Sequence, residues 1–331
     1  MKFLIVGLGS IGERHLKNLI SIGEKDIIGV EINNDRINYI KRKYKIEVTK
    51  KLEDALKKKP DACLICTPPV LHVPVALKAA KAGCHIFIEK PLAHEFTPEL
   101  NELEKIIKDK NLTCMIGYNQ RFNKGILKLK ELSQRDDFGD IIYIRAEVGQ
   151  DLPSWRPWQD YTKSYTARRE LGGGIILDAS HEIDYVLWLM KYAPVYEIKS
   201  YYNKLSDLDI NVEDIADILI IFKNGYASIH MNMIEKGYNR CCKIISRCGN
   251  WAIYDFKSRK IACYINGEML HEVYTDYDMN ETYIDEIKHF IECIKNKEMP
   301  LTNLDTAKKT LEVCMIAKRG GGKHGNSSYS G

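Results

Sequence analysis

No stretch of the 331-residue sequence approaches the ~18 apolar residues in a row that a membrane span requires. There is no long Lys/Arg block either. The 49 basic and 45 acidic residues leave a formal net charge of +4, spread along the chain, so no nucleic-acid surface is indicated. The short run "LKKKP" reads as the solvated end of a helix. The opening "MKFLIVGLGSIGERH" is apolar for too few residues to be a secretory leader before glycine and charge follow. Internal repeats are absent. Cysteine is not scarce, but the 10 cysteines are scattered, mostly inside apolar runs, which suits free thiols in a reducing cytoplasm. "CLIC" at 63–66 has two-cysteine spacing but lies within a strand-like run, so no metal site is read from it.

What is present is an alternation. "KFLIVGLG", "IIGVE", "DACLICTPP", "CHIFIEKP" and "LTCMIGYN" are short apolar strand runs, separated by amphipathic helical stretches such as "IGERHLKNLISIG" and "VLHVPVALKAAKAG". Such βαβ units build a doubly wound parallel sheet, here expected over residues 1–121. Beyond it come the long run "DIIYIRAEVGQ", an aromatic-rich irregular segment and the helical "GGGIILDASHEIDYVLWLM". Strand runs punctuated by Asn224-Gly225, Gly249-Asn250 and Asn266-Gly267 follow, which read as hairpins of a large, mostly antiparallel sheet. Two helices close this second, α+β domain, read over residues 122–319, where substrate binding and oligomerisation are expected. Residues 320–331 read as a flexible Gly/Ser-rich tail.

"GLGSIG" places Gly7, Gly9 and Gly12, with Ser10 and Ile11 between them, directly after a strand and at the start of a helix. In that context the glycines let backbone approach a pyrophosphate, which rests on the helix N-terminus. Glu31 closes the second strand roughly 20 residues further on, where an acid meets ribose hydroxyls. Its charge repels a 2′-phosphate, so NAD is expected in preference to NADP, with Arg36 close enough to soften that preference. Lys90, in "EKP", is delivered to the carboxyl end of a strand, the side on which such sheets bind ligands, and a Lys-Pro bond takes the cis form at modest cost.

"GLGSIGERH", "TPPVLH", "EKPLA", "GYNQRF" and "GGGIILDASHEID" occur in an order and spacing that resembles the Gfo/Idh/MocA oxidoreductases. The resemblance spans nearly the whole chain up to the tail. It implies hydride transfer between NAD(P) and a secondary alcohol or ketone of a sugar, sugar derivative or polyol. It further implies that Lys90 hydrogen-bonds the reacting oxygen, that Glu89 and Lys90 touch the nicotinamide riboside, and that Thr67, Pro68 and His72 line the cofactor. Pro69 stands where the family usually has Asn. Asn119 and Arg121 match the strand end beneath the nicotinamide, and Arg121 is also expected to reach substrate.

Asp178 and His181 are three apart, so on one helix they share a face. A histidine suits removal of a hydroxyl proton because imidazole titrates near neutrality. Asp178 is expected to orient it or to bind a neighbouring hydroxyl. Between strand and helix, Trp155, Trp158, Tyr161 and Tyr165 suit stacking on a sugar ring, and Arg156, Lys163, Arg168 and Arg169 suit a phosphate or carboxylate. The same residue types also populate subunit contacts, and both readings stand. A homodimer or homotetramer is expected, built on a sheet face that the chain's own helices leave uncovered. Two other functions compete: a redox-neutral sugar-modifying enzyme with tightly held NAD, and a dinucleotide-binding sensor without turnover.

Overall fold

The computed structural model describes residues 1–274 and 278–320, and the backbone of 325–328. The chain forms two compact units, residues 1–119 with 279–308, and residues 120–278 with 309 onward.

In the first unit the apolar runs become β1 (Lys2–Val6), β2 (Asp26–Val30), β3 (Glu47–Thr49), β4 (Ala62–Ile65), β5 (His85–Glu89) and β6 (Cys114–Gly117). All pair in parallel, in the order β3-β2-β1-β4-β5-β6. Every residue of β4 and all but one of β5 are buried, as in a sheet covered on both faces. The helices α1 (Ser10–Ser21), α2 (Asn34–Tyr44), α3 (Leu52–Leu56), α4 (His72–Lys81) and α5 (Pro98–Asp109) alternate with the strands. Winding reverses between β1 and β4, so the ligand crevice of such a sheet lies outside their carboxyl ends. The edge strand β3 escapes a sequence reading because it has three residues in the polar run "KIEVTKK".

The second unit contains α6 (Lys124–Leu132), β7 (Ile141–Gln150), α7 (Leu152–Trp155), α8 (Ile175–Asp178) and α9 (Ser180–Leu189). The strands β8 (Val195–Asn203), β9 (Ile215–Phe222), β10 (Gly225–Asn232), β11 (Tyr238–Ser246), β12 (Trp251–Asp255), β13 (Lys260–Ile265) and β14 (Glu268–Val273) follow. Its sheet runs β14-β13-β12-β11-β7-β10-β9-β8 and continues into β15 (Gly325–Ser328), antiparallel throughout except for the β7–β10 pair. Asn266 and Gly267, both at positive φ, make the tight turn between β13 and β14. Alternation in β9 and β10 turns Ile218, Ile220, Ala227 and Ile229 into the core and leaves Asp217 and Tyr226 exposed. Against the apolar face pack α8 and α9.

Three sequence expectations change. The single helix expected over "GGGIILDASHEID" is two, because Ala179 (φ −93°, ψ 24°) breaks it between Asp178 and His181. The second domain is not continuous over 122–319. The helix α10 (Met279–Asn296) belongs to the first unit, where Phe290 meets Phe87 with ring centroids 5.6 Å apart, and α11 (Leu304–Gly320) starts there. Of the tail read as flexible, Gly325–Ser328 pairs with β8, and residues 321–324 and 329–331 lie outside the described residues.

A buried ion pair anchors α9. Nε and Nη2 of Arg121 each donate to the Asp184 carboxylate at 2.7 Å, with both side chains almost fully buried, and Nη2 also donates to Tyr192. Burial raises the Asp184 carboxyl, and the paired guanidinium opposes it. Asp184→Ala leaves that guanidinium uncompensated in the core and should cost about 3–5 kcal/mol in urea unfolding. The apolar double variant Arg121→Met/Asp184→Leu should cost far less. Equal losses in the two would show that the pair matters only for its volume.

Candidate active site

The turn after β1 is shaped by close packing. Gly7 has φ +87°, and a Cβ there would lie 2.7 Å from the Cys66 carbonyl oxygen. A Cβ on Gly12 would lie 1.9 Å from the Gly7 carbonyl oxygen. Gly9 is different: it is exposed, and a Cβ there meets nothing within 4 Å. Gly7 and Gly12 therefore serve the fold of the turn, whereas Gly9 borders open space. It is also the N-cap of α1, and no side chain caps that end, so the first-turn amides, from Ser10 and Ile11 on, suit a pyrophosphate.

Glu31 is held in place by backbone. Its Oε2 accepts from the Leu8 amide at 2.9 Å, and its Oε1 accepts from Ile32 and Asn33 at 2.8 and 3.0 Å. Arg36 lies across the loop, donating to the carbonyls of Leu8 and Gly9 and to Glu13 at 2.5 Å. Burial raises the Glu13 carboxyl, but hydrogen bonds from Tyr44, Lys43 and Arg36 outweigh it and bring it down to about 2. Arg36 is thus committed to the glycine turn, and Glu31 presents the acid expected beside a ribose.

The loops after β4 and β5 are tied together. Buried His72 sets Nδ1 2.7 Å from the Pro91 carbonyl and Nε2 2.9 Å from the Thr67 carbonyl, while Pro68 sits between Thr67 and the helix. Burial lowers its pKa, and the two carbonyls oppose the shift. The Lys90-Pro91 bond is cis, and Lys90 is half-buried at the end of β5. Glu89 turns inward, its Oε1 lying 2.5 Å from Nε2 of buried His15. Asn119 is buried, its amide nitrogen donating to Thr282 of α10 at 2.7 Å.

The second unit carries the other candidates. Asp178, at the end of α8, accepts from the Tyr165 hydroxyl at 2.6 Å and from the Thr166 hydroxyl at 2.9 Å. His181, in the first turn of α9, retains 8% exposure. Arg121 corrects an expectation: at 1% exposure, with its fork on Asp184, it is a core residue and not a substrate contact. Trp158 is 78% exposed, the Tyr161 hydroxyl accepts from the Asp209 amide, and Nε of Arg168 donates to the Thr162 carbonyl. The side chain of Arg169 is exposed. Sequence reasoning passed over His15, Thr166, Asp184 and Glu286, whose partners lie far away or in irregular chain. His15, at the end of "GLGSIGERH", and Asp184, at the end of "GGGIILDASHEID", stand inside motifs already singled out.

Comparison with known proteins identifies the family. Residues 1–118 match the GFO_IDH_MocA oxidoreductase family with its NAD-binding Rossmann fold, and residues 126–250 match the GFO/IDH/MocA C-terminal domain. The chain belongs to the Gfo/Idh/MocA family and is an NAD-dependent oxidoreductase acting on CH–OH groups. The myo-inositol 2-dehydrogenase of Thermotoga maritima is 26% identical, with 96% of each chain covered. The scyllo-inositol 2-dehydrogenase (NAD(+)) of Bacillus subtilis is 24% identical over 95% of this chain and 92% of that one. The solved structure of GenD2 from gentamicin A biosynthesis, in complex with NAD, shares the fold with a TM-score of 0.85 at 17% identity, covering 100% of this chain and 97% of that one. When bound, NAD supplies a two-electron hydride acceptor. Gly9, the amides opening α1 and Glu31 are the residues that would hold it.

The glycines should separate by experiment. Gly9→Ala should leave the thermal midpoint unchanged yet weaken NAD binding about tenfold, or ~1.4 kcal/mol. Gly12→Ala should lower the midpoint, because the turn must open. Calorimetric NAD titration with thermal unfolding checks both, and undiminished NAD affinity in Gly9→Ala would count against the cradle.

Proposed function

We propose that the substrate is a secondary alcohol of a sugar, sugar derivative or polyol, with Lys90 holding the reacting oxygen and His181 removing its proton. The observation that carries this reading is the placement of Lys90, half-buried at the carboxyl end of β5, next to the switch-point strand β4. Asp178 supports it from the second unit. Its carboxylate is fixed by Tyr165 and Thr166 at the entrance to α9 and is suited to a neighbouring substrate hydroxyl. Trp158 and the exposed Arg169 are the groups with which a ring and an anionic substituent would be met. The curated relatives named above are dehydrogenases of cyclic polyols, which weighs against the redox-neutral and sensor readings.

In this assignment the residues divide the work. The lysine ammonium stabilises negative charge developing on the alcohol oxygen, and the imidazole accepts the proton. Inositols, then sugar phosphates and nucleotide sugars, are the compounds to screen for NADH formation. On a verified substrate, Lys90→Ala and His181→Ala should each lower turnover by roughly a hundredfold or more. NAD affinity should change much less, since the glycine turn and Glu31 supply that binding. Near-normal turnover in the Lys90 variant would sink the catalytic assignment.

The cytoplasm is the compartment we assign, on the strength of ten free cysteines, eight of them buried. No helix among the described residues is long and apolar enough to cross a membrane. A homo-oligomer, dimer or tetramer, fits the outer face of the second unit's sheet, where Tyr143 and Tyr226 pair with ring centroids 4.9 Å apart and Tyr226 is 46% exposed. Light scattering at micromolar concentration should find an assembly, and a monomer would refute it.

A further inference from the structure

The seam where α1 meets α10 in the first unit buries three ionisable side chains together. His15 of α1 and Glu286 of α10 are fully buried, and Glu89, at the end of β5, is 7% exposed. Nε2 of His15 lies 2.5 Å from Oε1 of Glu89. One ligand atom from each of the three residues falls within 4.8 Å of the others. Among the described residues, neither carboxyl oxygen of Glu286 has a hydrogen-bond partner, nor has Nδ1 of His15. The walls are aromatic: His15 meets Phe87 and Tyr283 edge-on, at 5.3 and 6.1 Å. The titratable and charged neighbours are Cys66 after β4, Tyr283 with Arg14 4.5 Å over its ring, and Lys90 and His72 on the loops beside Glu89.

An ionised carboxylate here without a partner would cost several kcal/mol. Either a proton or a cation removes that cost. Two ligands on one zinc-sized ion stand roughly 3.3 Å apart, so the 2.5 Å His15–Glu89 contact is a hydrogen bond and not two ligands of one metal. We infer that Glu286 is a positioning residue: buried within 4.8 Å of the hydrogen-bonded His15–Glu89 pair, it stays a neutral carboxylic acid, making His15, Glu89 and Glu286 a coupled triad behind Lys90. Burial, and then the charge of Glu89, push the Glu286 carboxyl well above its usual range, in keeping with this geometry. The triad fixes Glu89, whose Oε2 accepts from the Lys90 amide at 3.3 Å. Its bearing on catalysis rests on the reading that Lys90 holds the reacting oxygen, but the proton on Glu286 is testable without it.

A carboxyl whose folded-state pKa lies above its unfolded value of 4.5 contributes stability that is complete below that value and lost as pH rises toward the folded pKa. For one proton, the folding constant falls by up to about tenfold per pH unit in that window. Glu286→Gln copies the neutral acid and has no proton to lose. Urea unfolding between about pH 5 and about pH 7 should therefore show wild type losing up to roughly a hundredfold in folding constant relative to Glu286→Gln. Difference infrared spectroscopy at neutral pH should show a carboxylic-acid carbonyl band that Glu286→Gln removes. On a verified substrate, the alkaline limb of kcat/KM should move to higher pH in Glu286→Gln. Parallel stability curves with no carboxylic-acid band would overturn the triad, whether or not the chain turns over substrate. Zinc that raises the thermal midpoint of wild type but not of the variant would mark a cation site and overturn it equally. An unmoved alkaline limb beside an intact band would overturn the positioning role.

Discussion

The close approach of backbone at the switch point governs the cofactor half of this protein. Gly7 packs on the carbonyl that ends the β4 run, and Gly12 packs on Gly7, so the turn after β1 has no room for a side chain at either place. That contact sets where α1 begins. It also places the Leu8 amide on Glu31 and the Leu8 and Gly9 carbonyls under Arg36. Glu31 and an uncapped helix end are thus parts of one turn.

Buried charge is handled in two ways. In the second unit, Arg121 faces Asp184 and Arg240 faces Glu182, each pair matched in charge and linked at 2.7 Å. Such pairs add little net stability but are expensive to break, so they hold α9 in one register. In the first unit, Glu89 and Glu286 are buried together beside the imidazole of His15. By the reading proposed above, a proton on Glu286 compensates the second carboxylate.

Candidate chemistry is divided between the units. Lys90, Glu89 and the glycine turn belong to the first, Asp178 and His181 to the second. Within each, the candidate groups are held by hydrogen-bonded neighbours: His72 clips the loops around Lys90, and Tyr165 with Thr166 fixes Asp178. Rigid elements carrying side chains held by outer hydrogen bonds are the arrangement a precise transfer needs.

Much of this was legible along the chain. The alternation of buried runs and helices gives the parallel sheet, because strands covered on both faces must be apolar throughout. The glycine spacing marks the tight turn after β1 for reasons local to a few residues. Turn pairs such as Asn266-Gly267 announce hairpins, since those conformations suit few other residues. The rest depended on residues that meet only after folding. Arg121 looked like a substrate contact within "YNQRF", and only packing against Asp184, 63 positions away, makes it a core residue. The helix break at Ala179 has neither Gly nor Pro to mark it. Glu286 sits in an ordinary amphipathic helix, and its partners His15 and Glu89 come from α1 and β5. A sequence displays each side chain's chemistry, but burial and the charge beside it are set by chain segments brought together from a distance.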